Sequence, residues 1–120
     1  MPSCASERFI SRDKSPRRKR SALLVAGLTG LGRIDASAAD RLNRRFGLGL
    51  ERRSRWSRLI DGTAALGQPG STLVLAGTGL QAPSFNDVPS AHMLHIVAGL
   101  RRAGLEYTAR MVAAEALART

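Results

Sequence analysis

The clearest pattern of apolar and polar positions lies in the last thirty residues of the chain. After Ser90, the apolar side chains follow the i, i+3, i+4, i+7 spacing of one buried helical face: Met93, Ile96, Val97 and Leu100. Ser90 is suited to the start of a helix, and Gly104 can end it in the left-handed conformation. Because a second helix begins at Leu105, the pattern predicts a helical hairpin over residues 90–119.

The second helix of this hairpin is apolar on two opposite sides. At 100° per residue, one apolar stripe contains Leu105, Ala109, Val112, Ala113 and Ala116. The other stripe contains Tyr107, Met111, Ala114 and Ala118. One stripe is enough to pack on the preceding helix, so the second remains for the rest of the domain or another molecule. We therefore expect the second stripe to bind a protein partner or a second copy of the chain.

Three more helices are predicted in the first half of the chain. In the first, Ser21 is a suitable N-cap, and one buried face is expected to contain Leu24, Leu28 and Leu31. The second helix begins at Asp35 or Ser37 as its N-cap and ends at Gly47. The third lies within residues 51–66, and its buried arc is expected to contain Trp56, Leu59, Ile60 and Thr63.

The apolar run at residues 71–80 is compatible with a buried strand or a short helix. A lone strand would find no second strand to pair with in this chain, so a helix capped by Ser71 is favoured. Residues 81–89 contain two prolines and are predicted to form a loop. Together these patterns predict an all-α fold of about five helices, either a small bundle or a short stack of helical hairpins.

Composition divides the chain into a leader and one domain. Residues 1–20 are rich in Ser, Pro and Arg without an apolar period, which predicts a disordered basic leader. Residues 21–120 have the length of a single α-helical domain. The net charge of +10 lies in the first half, because residues 61–120 carry four cations and four acids. Of the nineteen cations seventeen are Arg, which suits an anionic partner but is equally expected from a GC-rich genome.

The basic residues suggest an alternative function, non-specific nucleic-acid binding. Two helices joined by residues 47–49 would bring Arg side chains together, and a phosphate backbone could release counterions there. This alternative uses Arg17, Arg18, Lys19, Arg20, Arg41, Arg44, Arg45, Arg52, Arg53, Arg55 and Arg58. No polar, base-reading helix face accompanies them, so specific DNA recognition is not expected.

Patterns for catalysis and for metal binding are weak. His92 and His95 are three residues apart, but no third ligand follows at a useful spacing, and the single cysteine, Cys4, lies in the leader. The glycines within residues 27–32 imitate a phosphate loop but lack the strands and the acidic residue of a dinucleotide site. A nucleophile elbow and paired carboxylates are also missing from the sequence. We expect no enzyme activity, cofactor or metal.

The compartment has two interpretations. The basic leader, the apolar stretch and Ala36-Ser37-Ala38 imitate the three parts of a secretory signal. Glycines within the apolar stretch, and Arg33 and Asp35 before the supposed cleavage site, favour a cytoplasmic protein instead. No apolar run reaches the roughly eighteen residues that cross a bilayer, so no membrane span is expected.

Several segments carry a resemblance to known proteins. Residues 92–105 read HMLHIVAGLRRAGL, residues 109–116 read ARMVAAEA, and residues 30–42 read GLGRIDASAADRL. With the helix around Trp56, these segments resemble the C-terminal region of larger, uncharacterised, helix-rich bacterial proteins of unknown function. The resemblance covers roughly residues 22–119 and leaves out the leader. It implies a helical-repeat-like architecture and transfers no function or active residue.

Overall fold

The computed structural model describes residues 3–14, 19–50, 54–82 and 87–119. These residues contain seven α-helices. In chain order they are α1 Ser3–Arg12, α2 Lys19–Gly30, α3 Ala36–Phe46, α4 Arg55–Ala65, α5 Pro69–Gly79, α6 Ser90–Arg102 and α7 Glu106–Ala118. No strand occurs within those residues, so the predicted all-α class is confirmed. The helices number seven instead of about five.

The first helix corrects the prediction that residues 1–20 are disordered throughout. Helix α1 contacts α2 and α3, and its Ile10 side chain is fully buried in the core. Asp13, just after α1, accepts hydrogen bonds from the backbone N–H and the hydroxyl of Ser21 at 2.9 and 2.6 Å. A helix as short as α1 is marginal alone, so it depends on such tertiary contacts.

Helix α2 is the central helix, in contact with α1, α3, α6 and α7. Its buried apolar residues are Ala22, Leu23, Val25, Ala26, Gly27 and Gly30. The face predicted to be buried is only half-buried: Leu24, Leu28 and Leu31. Helix α2 is apolar on nearly every side. Its neighbours pack on the face that contains Gly27 and Gly30, because the missing side chains allow the helix backbones to come closer.

Two glycines of α2 set how close its neighbours come. A Cβ atom added at Gly30 would lie 2.8 Å from the Val97 Cβ and 2.9 Å from the backbone nitrogen of Ala98, both on α6. A Cβ at Gly27 would lie 3.2 Å from the Ala113 Cβ on α7. Because neither position carries a side chain, α6 and α7 pack directly on the backbone of α2.

Side-chain caps begin α3 and α4. Asp35, one of the two N-caps left open by the sequence, accepts a hydrogen bond from the backbone N–H of Ala38 at 2.7 Å. This bond is the main reason why the pKa of the Asp35 carboxyl is below its ordinary value. Gly47 ends α3 with a φ of 64°, and Ser54 and Ser57 cap α4 by reciprocal hydrogen bonds.

Helix α5 occupies the run for which both a strand and a helix were considered, and the helix is confirmed, although it begins before the predicted cap, Ser71. It packs on α4, where the Trp56 indole N–H donates to the carbonyl of Leu75 at 2.8 Å. The same indole lies against the backbone at Gly79, which has no side chain to block it. The hydroxyls of Thr63 and Thr72 also meet between the two helices, at 3.0 Å.

The side of α4 that faces the core is rotated from the predicted arc, and its buried residues are Ser57, Ile60 and Ala64. Ile60 is fully buried near Gly99 of α6, as the predicted arc requires. Leu59, expected in the same arc, is 55% exposed. Successive helical residues differ by 100° in direction, so a helix that centres Ile60 on α6 turns Leu59 outward.

Helix α6 supplies the centre of the core, and α7 packs beside it. The apolar face predicted for α6 is fully buried: Met93, Ile96, Val97 and Leu100. Gly104 has a φ of 91° in the turn before α7. On α7, Ala109 and Ala116 are fully buried against the rest of the fold.

We expect Gly30→Ala to destabilise the fold by about 1–3 kcal/mol, because the added methyl group meets the backbone of α6. The matched control is Gly62→Ala, which adds the same methyl group inside α4 where no atom lies within 4 Å. That control should gain up to about 1 kcal/mol from helix propensity. Urea unfolding followed by Trp56 fluorescence measures both changes. Equal midpoints for the two variants would contradict the close packing of α2 on α6.

Candidate interaction surface

The outward side of α7 carries the four residues that the sequence selected for protein binding. Tyr107 is 76% exposed and Met111 is 51% exposed. Ala114 and Ala118 are also exposed. We call these four residues the α7 stripe. Because Ala109 and Ala116 hold the opposite side of α7 in the core, the helix is fixed in place while the stripe faces outward.

An apolar groove lies beside the α7 stripe, between α2 and α7. We call it the α2–α7 groove; its volume is about 190 Å³. Its large apolar side chains are Leu23, Leu24, Leu28, Leu31 and Leu117. Ala114 lines the groove and also belongs to the stripe, so the two form one continuous surface. Sequence patterns missed the groove because they assigned the α2 leucines to the buried core.

The shape of the groove follows from the contact between Gly27 and Ala113. These two residues have little or no side chain, so they form a shallow floor where α2 and α7 come closest. The larger Leu24, Leu28 and Leu117 stand around this floor. A large apolar side chain of another molecule can therefore enter between the two helices.

Charges around the α7 stripe are balanced. Arg110 pairs with Glu106 at 3.2 Å, and Arg119 pairs with Glu115, each pair four residues apart on the helix. Arg101 of α6 also approaches Glu106, at 3.6 Å. Such exposed pairs add little stability. The two pairs within α7 nevertheless give that helix a rim without net charge, in a protein of net charge +10.

The cations of the alternative nucleic-acid surface are divided among different parts of the fold. Arg41, Arg44 and Arg45 lie on α3, which packs on α1 and α2. Arg55 and Arg58 lie on α4, which packs on α5 and α6. Arg20 is exposed near the start of α2. The remaining predicted residues, Arg17, Arg18, Arg52 and Arg53, lie outside the described residues.

Several of these cations already have partners within the chain. Arg44 pairs with Asp40 at 2.6 Å, and Arg45 pairs with Glu7 at 3.3 Å. The Arg45 guanidinium also lies 5.3 Å from the centre of the Phe46 ring. The Lys19 ammonium donates to the carbonyl of Val88, and burial lowers its pKa although Asp87 acts in the opposite sense. An incoming phosphate would have to compete with these contacts.

The two histidines are held between α4 and α6. The Nδ1 atom of His95 lies 2.9 Å from a carboxylate oxygen of Asp61, and the His95 side chain is only 14% exposed. The His92 ring lies 4.6 Å from the Trp56 ring, measured between centroids. Within the described residues, no cluster of three or more His, Cys, Asp or Glu side chains could hold a metal. Sequence spacing could not reveal Asp61 as a partner, because it lies 34 residues away from His95.

Apolar side chains are also exposed on the α4–α5 pair, which the sequence patterns did not single out. Leu59 lies on α4, Leu66 directly follows that helix, and Leu73 and Val74 lie on α5. Leu66 is 75% exposed, almost the same fraction as Tyr107. It therefore offers a matched position for testing the α7 stripe.

Comparisons with known proteins add no family to this description. No family model, curated protein or solved structure matches the chain. Within the described ranges, no helix has the length and apolar character needed to cross a bilayer.

We expect the free energy of unfolding to fall as the pH drops below 6.5. Burial lowers the pKa of His92, and electrostatic interactions with His95 and Lys19 lower it further. The unfolded chain therefore binds a proton at a higher pH than the folded chain does, so acid favours unfolding as the pH falls towards the depressed pKa.

Urea unfolding at several pH values between 7.5 and 5 measures this slope. His92→Phe keeps an aromatic ring beside Trp56 but cannot take up a proton, and the part of the slope due to His92 should disappear. The same slope in the variant and the parent chain would contradict the assignment.

Proposed function

We propose that this chain is a non-catalytic α-helical protein-interaction module that binds through the α7 stripe and the α2–α7 groove. The observation that carries the proposal is the exposure of Tyr107 and Met111 on a helix whose other side is fixed in the core. Exposed large apolar side chains in a row, next to an apolar groove, are typical of a helix-docking surface.

The composition of the surface supports the proposal. Tyr and Met are enriched at protein interfaces, where an apolar centre is surrounded by a polar rim. The stripe has this arrangement, with its rim formed by the pairs Glu106 with Arg110 and Glu115 with Arg119. Ala114 and Ala118 let a second helix come close to α7. The expected partner therefore presents an apolar helix face with little net charge.

Nucleic-acid binding receives less support. A polyanion is bound by many unpaired cations on one surface, whereas Arg44 and Arg45 are paired with acids within the chain. Helices α3 and α4, which carry the cations of this alternative, also pack on different sets of helices. This alternative predicts binding that weakens steeply with salt, and a mobility shift assay at low and moderate salt separates it from binding through the apolar surface.

Tyr107→Glu tests the proposal. The tagged chain is used to capture proteins from a native lysate that also contains an untagged copy, with and without nuclease. We expect nuclease-resistant capture of a defined protein or of the untagged copy, reduced about tenfold or more by Tyr107→Glu. The reason is that burying an unpaired carboxylate at the interface costs more than about 1.4 kcal/mol.

Leu66→Glu is the matched control, because it places the same charge at an equally exposed apolar position. It should leave capture unchanged. Equal loss with both variants would show general effects of charge and would contradict the proposed surface. Capture that disappears with nuclease would favour the nucleic-acid alternative instead.

A further inference from the structure

The α7 stripe has the spacing of a helix pair. Its positions follow one another at intervals of four, three and four residues: Tyr107, Met111, Ala114 and Ala118. This is the repeat by which two helices pack along a narrow apolar seam. The four positions lie within a narrow arc centred opposite the buried Ala109 and Ala116. A second helix can therefore lie along the whole stripe.

Side-chain size changes along the stripe, from two large residues at its start to two alanines at its end. In a parallel pair of identical helices, Tyr107 would meet Tyr107 and Ala118 would meet Ala118, so the helices would splay apart at one end. In an antiparallel pair centred between Val112 and Ala113, Tyr107 meets Ala118 and every layer contains one large and one small side chain. The distance between the helices then stays constant along the seam.

We infer that the partner of the α7 stripe is a second copy of this chain, bound by antiparallel, two-fold symmetric pairing of α7. This inference rests on the proposed function and names the occupant of the proposed surface. In the pair, Tyr107 packs on Ala118 of the second copy, and Met111 packs on Ala114 of the second copy. Two-fold symmetry repeats both contacts, which is the usual arrangement of a homodimer.

The charged residues beside the stripe allow two copies to pair, although each chain has a net charge of +10. The rim of the stripe contains two acids and two Arg, already paired within the helix, so two copies do not repel one another here. Across an antiparallel seam, the flanking positions that meet are Arg110 with Leu117 and Glu115 with Thr108. No two like charges lie directly opposite. The neutral rim also gives no advantage to a strongly charged partner.

Two copies bury the area of a stable dimer only if the α2–α7 groove also belongs to the interface. Specific dimers bury about 800 Å² on each partner, which is more than two large side chains and two alanines can supply. Ala114 of the stripe and Leu117, which flanks it, both line the α2–α7 groove. In the proposed pair, the second α7 also covers Leu24 and Leu28 of α2, which are half-buried and line the same groove. The interface then contains α2 and α7 from each copy.

Disulfide cross-linking tests this geometry in the full chain. Cys4→Ser removes the single native thiol, and Tyr107→Cys and Ala118→Cys are then made in separate chains that differ in tag. In the antiparallel pair these two positions are neighbours. Identical positions are eleven residues apart along the axis, about 16 Å, which is far beyond the reach of a disulfide. Mild oxidation of the mixture should therefore yield mainly the mixed 107–118 product.

Self-linked products of each variant alone, at the same yield as the mixed product, would overturn the antiparallel arrangement. The unmodified chain is measured in parallel by sedimentation equilibrium, where the mass should double from 12.8 kDa as the concentration rises through the micromolar range. Tyr107→Glu should restore the monomer mass, and Leu66→Glu should not. A chain that stays monomeric at high micromolar concentration would overturn the inference.

Failure of this inference is distinguishable from failure of the proposed function. A monomeric chain that still captures another protein in a Tyr107-dependent manner would overturn the homodimer and leave the interaction module intact. A dimer dissociated by Leu66→Glu but not by Tyr107→Glu would overturn both, because the interface would then lie on the α4–α5 pair.

Discussion

The close contact of α2 with α6 and α7 determines the rest of the structure. Val97 of α6 packs against Gly30, and Ala113 of α7 packs against Gly27, because neither glycine carries a side chain at the contact. Both neighbours thereby occupy the side of α2 that contains the two glycines, and Leu24 and Leu28 are left half-buried. The same contact holds one side of α7 in the core, so its other side faces outward. The α2–α7 groove and the α7 stripe are both consequences of this packing.

The positions of the later helices could be predicted from the sequence because they depend on local signals. The N-cap at Asp35, the left-handed Gly47 and Gly104, and the apolar face of α6 all act within a few residues. Helix α1 could not be predicted, because its stability comes from burying Ile10 against distant parts of the chain. The choice between two apolar faces of α2 also depends on its neighbours. The face of α2 that becomes buried is the one to which the other helices can approach most closely.

The candidate site was predictable to a similar extent. The periodicity of the sequence is enough to predict that α7 is apolar on two sides. In the structure one side faces the core, and Tyr107 and Met111 face outward. The groove, the contact between His95 and Asp61, and the exposed Leu66 each depend on tertiary arrangement and carry no local signal. The excess positive charge lies in the first half of the sequence, whereas α7 belongs to the second half. A neutral face on a basic protein is where two copies can meet with the least repulsion.

The central claim, that the outward side of α7 is covered in solution, is tested most directly by methionine oxidation. Met111 is 51% exposed and Met93 is fully buried, so Met93 is an internal reference for the intact fold. Peroxide should convert Met111 to its sulfoxide rapidly at nanomolar protein and much more slowly at high micromolar protein, while Met93 stays protected throughout. An oxidation rate of Met111 that is the same at every protein concentration would contradict the account.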